Sequence, residues 1–181
     1  MAWSEERRSE WTPNPSLHQK RYNQLRWPSR QNKETMLPLL QLIAAFAAML
    51  FAGAALYINV AEHPARMTLE TRMAALQWAP SYKRATLLQA PLALISLVSG
   101  AGSWFLGADV FWLMAALIIG SVVPFTLVVV MPTNRQLLDP NRDLGSAETR
   151  SQLEKWNRFH TVRTVLSLLS SFIYLWLLHG A

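Results

Sequence analysis

Four apolar blocks, near residues 37–60, 87–105, 110–131 and 161–178, constrain this chain more than any other feature of it. At 1.5 Å per residue each is of the length that crosses roughly 30 Å of hydrocarbon. Inside a bilayer every backbone polar group needs an internal partner, and helices provide it. The sequence therefore reads as an all-α, four-helix transmembrane bundle. The membrane domain covers residues 36–181, behind a polar, basic leader over 1–35 that is mobile or lies at the interface. The fourth block is the shortest and holds Arg163 in its first turns, so that side chain must snorkel or find a partner.

Composition agrees with this reading and closes other routes. The chain is 51% hydrophobic and 15% charged, against about 25% charged in soluble domains. It has no cysteine, which rules out disulfide scaffolds, thiolate catalysis and cysteine-held metal clusters. The net charge of +6 comes without a groove-reading motif, so anionic lipid headgroups fit it better than nucleic acid does. No Ser-His-Asp order, phosphate-binding glycine loop or HExxH helix is present.

The leader has no apolar core of the kind a signal peptide needs. It carries Trp3, Trp11 and Trp27, suited to the lipid interface or a partner. A tight turn at Gly107, Ala108 and Asp109 makes the second and third spans antiparallel neighbours. The other links, residues 64–86 and 132–160, are long and emerge on one membrane face. Each is expected to hold an amphipathic or interfacial helix: one begins at an N-cap Thr68 and stops before Pro80, the other ends near Trp156. Trp104, Trp112 and Trp176 fit an aromatic belt at the leader end, and Trp78 and Trp156 one at the link end. No internal repeat is evident, which weighs against a transporter.

The chemistry gathers at the link end. In NVAEHPAR, Asn59, Glu62, His63 and Arg66 follow i, i+3, i+4 and i+7 and share one helix stripe. Pro64 removes an N–H and frees the Val60 carbonyl. In WNRFHTVRT, Trp156, His160 and Arg163 repeat the spacing. Topology brings both stripes, with Asn134 and Arg135 of MPTNRQLLD, to one end of the bundle.

Three roles suit this set. His63, His160 and Glu62 match the two-histidine, one-carboxylate donor set that holds iron, and histidine pairs also hold copper. Alternatively Glu62 neutralises Arg66 or Arg163 while the histidines bridge helices. In the third, which needs no cofactor, His63 or His160 is a general base and Arg66 or Arg163 stabilises a developing oxyanion. Asn59, Asn134 and Gln89 are candidate substrate contacts, and Trp78 and Trp156 are suited to stacking on a flat ring. The glycines and serines of VSGAGSW read as helix-packing residues.

The ordered motifs YINVAEHPAR, QWAPSYKRA, PFTLVVVMPTNRQLLD and WNRFHTVRT resemble the anthrone oxygenase-like integral membrane family over residues 40 to 180, leaving the leader outside. The resemblance implies a four-helix membrane protein. For fungal polyketide members it implies oxygen-dependent oxidation of an anthrone to an anthraquinone. It carries no catalytic residue assignment, so the sites above rest on spacing. The expected function is a membrane-embedded oxidoreductase taking a small lipophilic, aromatic or quinone-like substrate from the lipid bilayer. The alternative is an accessory subunit, in a homo-oligomer or a larger membrane complex, docked through the leader.

Overall fold

The chain turns its apolar blocks into helices that run well past the lipid-crossing stretches. A computed structural model describes residues 30–180. The leader's Trp3, Trp11, Trp27 and His18 lie outside the described residues. Four helices are long and apolar enough to cross a membrane: Glu34–Arg66, Thr71–Phe105, Val110–Leu137 and Ala147–His179. The chain is a multi-pass integral membrane protein. Large apolar side chains such as Phe46, Val98, Phe105, Leu117 and Phe172 are exposed on these helices, as expected of surface that meets lipid tails.

The two long links are mostly not links. The helix expected to stop before Pro80 begins at Thr71 and continues through Pro80 and Pro91 to Phe105. Proline costs one helical hydrogen bond, but Trp78 and Tyr82 on either side of Pro80 pack into the core, and that packing holds the helix together. Thr68 is not its N-cap: the Thr68 hydroxyl donates to the Ala65 carbonyl in the preceding turn, and Glu70 takes the cap position. The helix expected to end near Trp156 likewise runs unbroken from Ala147 to His179. Its N-cap is Ser146, whose hydroxyl accepts from the Thr149 amide. At 35 and 33 residues these two helices are about 50 Å long, so they carry their polar N-terminal turns beyond the hydrocarbon.

The tight turn is as expected. Gly107 has φ +105°, a conformation open to glycine, and the Asp109 side chain accepts from the Phe111 amide at 2.8 Å.

Both spans that end at the site change register before a proline. Ile58–Glu62 and Thr126–Val130 are π-helical. His63 N–H donates to the Ile58 carbonyl and Met131 N–H to the Thr126 carbonyl. The wider turn accommodates the bonds lost at Pro64 and Pro132, and such π-bulges recur at functional sites.

The shared device exposes a repeat that the sequence hides. The first and third spans each end in a π-turn, a proline and a short helix; the second and fourth each begin in a polar extension with a buried tryptophan. Ala44, Ala47, Ala48, Phe51 and Ala52 are buried in the first span where Trp112, Ala115, Ala116, Ile119 and Gly120 are buried in the third. Ala75, Trp78, Gln89, Ala93 and Ser96 correspond in the same way to Leu153, Trp156, Ser167, Ser171 and Tyr174. The bundle is thus two similar hairpins, one from the first two spans and one from the last two.

Lipid gives no hydrophobic drive to helix association, so close packing and interhelical hydrogen bonds must do it. Ser96 donates to the Ala44 carbonyl at 2.9 Å and Ser170 to the Ala115 carbonyl at 2.8 Å. A Cβ on Gly100 would overlap the Tyr174 hydroxyl and approach the Ala116 Cβ at 2.9 Å. Gly100→Ala is therefore expected to destabilise the folded protein by about 1–3 kcal/mol. Gly53→Ala, where a Cβ meets nothing within 4 Å, should be neutral or gain up to about 1 kcal/mol from helix propensity. Unfolding midpoints of the two variants in one detergent check the contrast.

Candidate functional site

Three hydrogen-bonded groups and an aromatic row occupy the end of the bundle where the π-turns lie. The first group joins the exit of the first span to the start of the second. Arg66 is 2% exposed. Its guanidinium pairs with Glu62 and donates to Gln77 and to Ser81, and Ser81 also donates to Glu62. Of the two cations the sequence offered to Glu62, the structure selects Arg66.

The second group joins the first span to the fourth. The Asn59 amide nitrogen donates to Asn157 Oδ1 at 2.8 Å and to Thr161 Oγ1 at 3.1 Å. Asn59 Oδ1 accepts from Thr164 and lies 3.1 Å from His160 Nδ1. Because that oxygen can only accept, His160 Nδ1 carries the hydrogen, and the lone pair of the neutral ring sits on Nε2. Asn59, read from sequence as a substrate contact, has both ends of its amide engaged by the fourth span.

The third group is deeper. Arg163, 7% exposed, donates to Gln89 Oε1 at 2.7 Å and lies 5.6 Å from the Phe51 ring centroid. Among the described residues the ion pairs are Arg66–Glu62 and Arg142–Glu148, which leaves Arg163 a buried cation among neutral partners.

The aromatic row corrects two expectations. Trp78 and Trp156 are 0% and 3% exposed, too enclosed to form a membrane belt or an open stacking platform. They contact each other edge to face at 5.7 Å. Trp78 stacks on Tyr82 at 5.0 Å, and Trp156 lies 4.9 Å from the His160 ring and 6.0 Å from the His63 ring. Trp112 is buried against Tyr174 and also leaves its expected belt, while Trp104 and Trp176 are exposed.

Arg135 is exposed and does not join the cluster. Its neighbour Asn134 is 1% exposed and donates to the Tyr82 hydroxyl at 3.0 Å. Gln77, Ser81, Tyr82 and Phe51 are site residues the sequence reading missed. Tyr82 had a visible signal, being one helical turn beyond Trp78; the others are set by tertiary contact.

A metal does not fit the residues proposed for it. The Glu62 carboxylate is held by Arg66 and Ser81, and His160 Nδ1 faces an amide oxygen. No group of three histidine or carboxylate side chains among the described residues is placed to hold an ion. What marks the region is buried polar atoms without partners: His63 Nδ1, Arg66 Nη1, Trp78 Nε1, Gln89 Nε2, Asn134 Oδ1, Trp156 Nε1 and Arg163 Nε. Native proteins leave few such atoms, and each is a place where a water, an ion, a ligand or a reacting group would supply the partner.

The fold and site together define a four-span membrane protein with a buried cluster of polar and aromatic side chains at one end of its bundle. A family model described as Anthrone oxygenase matches residues 78–173, and the chain belongs to the anthrone oxygenase family. The matched stretch includes Trp78, Gln89, Asn134, Trp156, His160 and Arg163 and leaves out the first span with Asn59, Glu62, His63 and Arg66. No curated protein and no solved structure matches the chain.

Proposed function

We propose that the protein is a membrane-embedded oxidoreductase that uses dioxygen to oxidise a lipophilic aromatic, quinone-like substrate, with His160 as general base. The supporting observation is the Asn59–His160 contact, which leaves the Nε2 lone pair free to receive a proton in a buried ring that lies against Trp156. An anthrone-type CH₂ flanked by aromatic rings and opposite a carbonyl is acidic. Its deprotonation places charge on the carbonyl oxygen, which a guanidinium stabilises. Arg163, without a carboxylate partner, is suited to that role. The carbanion then passes electrons to dioxygen; one oxygen atom becomes the new carbonyl and the other leaves as water. These steps are written without a protein-bound metal, since Glu62, His63 and His160 do not form a ligand set among the described residues.

The test is oxygen uptake by the purified protein in lipid nanodiscs with 1,8-dihydroxyanthrone. Uptake should exceed both the protein-free rate and the rate of the His160→Ala variant, with the anthraquinone as product. Uptake equal to the protein-free rate removes the proposal.

A further inference from the structure

We infer that the cavity between the second and third spans binds a lipophilic anion arriving from the bilayer, with Arg163 as the cation that recognises its charge. The cavity measures about 130 Å³, and its walls include Phe51, Tyr82, Thr86, Ala93, Thr126 and Arg163, drawn from all four spans. Ala90 and Leu127 also border it, and both are exposed, Leu127 by 59%. Both belong to membrane-crossing helices, so the opening faces lipid and access is lateral.

The floor of the cavity is built for an oxyanion. Burying a guanidinium in a membrane bundle is costly unless charge or hydration offsets it, and the described partners of Arg163 are the neutral Gln89 and Phe51. Arg163 lines the cavity, and its Nε has no partner. A free guanidinium donor carrying an unneutralised charge matches a carboxylate or phenolate.

The repeat shows that this space is particular to one half. In one hairpin pairing, the Asn59 amide fills the gap against His160 and Thr164. The corresponding residues of the other pairing are Leu127, Tyr82 and Thr86, and these border the cavity. Pockets that enclose whole drug-sized ligands run to roughly 300–1,000 Å³. This one therefore takes the charged head, and the apolar body lies along Ala90 and Leu127 toward lipid. The shared chemistry is an apolar molecule ending in one anionic oxygen group, whether a fatty acid of the membrane or an aromatic substrate.

The inference deepens the oxidoreductase reading and rests on it only for the aromatic ligand. Binding is the test, which separates the two. Anion-selective binding without oxygen uptake removes the oxidoreductase reading and keeps the site; uptake without anion selectivity does the reverse. The full chain in phosphatidylcholine nanodiscs is titrated calorimetrically with 2-naphthoate and laurate and with their neutral counterparts, 2-naphthalenemethanol and dodecanol. Each anion should bind about tenfold or more tightly than its neutral counterpart, as charge-assisted bonds imply. Naphthoate ahead of laurate assigns the site to an aromatic ligand; the reverse order assigns it to membrane fatty acids. Arg163→Gln should erase the charge preference. Ala90→Phe, at the exposed mouth where folding is not at stake, should weaken both anions by about tenfold. Equal binding of anions and neutral counterparts overturns the proposal, as does a charge preference that survives Arg163→Gln or anion affinity unchanged in Ala90→Phe.

Discussion

His160→Ala should lower the rate of oxygen uptake by about 10²–10⁴-fold, the usual contribution of a positioned general base. The loss should fall on kcat, because a base acts on the proton in flight and contributes little to ground-state affinity. Asn59→Leu tests the positioning behind this. It removes the acceptor that holds the hydrogen on His160 Nδ1, so kcat should fall by about tenfold or more while the imidazole remains. Asn59→Asp keeps an acceptor at the same place and should recover most of that rate; a merely structural role for Asn59 would show no such recovery. Full activity in folded His160→Ala protein would remove the histidine from the mechanism.

How far such a site can be read from sequence depends on which interactions are local. The i, i+4 spacing places Glu62 against Arg66 before any tertiary structure exists, and that pair forms. The second stripe, Trp156, His160 and Arg163, is likewise local, and all three are buried on one helix. Which residue of the first stripe meets which residue of the second is a tertiary question. The spacing did not reveal that Asn59, not Glu62, would reach His160. The tryptophans misled because an indole suits both an interface and a core, and only the meeting of the two hairpins buries Trp78 against Trp156. Pro80 misled for a related reason. A proline is a probable helix end in isolation, and here the packing of Trp78 and Tyr82 outweighs one lost hydrogen bond. The repeat is faint in the letters because only scattered positions match, Ala47 with Ala115, Ala48 with Ala116, Pro64 with Pro132 and Trp78 with Trp156, while Ala44 corresponds to Trp112 and Ser96 to Tyr174. What repeats throughout is burial and the π-turn before proline, which residue identity alone does not display.

Glu62→Gln should destabilise the protein by about 3 kcal/mol, the penalty for leaving a buried charge without its partner. The glutamine can still accept from Arg66 and Ser81, so the loss isolates charge from hydrogen bonding. Arg66 has little alternative, being 2% exposed, with Gln77 and Ser81 as its other described side-chain partners. Arg66→Met alone leaves Glu62 with Ser81 and partial exposure, its side chain being 19% accessible, so its cost should be smaller. The double replacement Glu62→Gln with Arg66→Met removes both charges and should be more stable than Glu62→Gln alone, because no buried guanidinium is left without a counter-charge. The unfolding midpoints of the four proteins in one detergent close a double-mutant cycle. A non-additivity of about 1.5 kcal/mol or more is expected from direct contact. Simple additivity would mean that Arg66 draws its stabilisation from elsewhere and that the Glu62 carboxylate is free for another role.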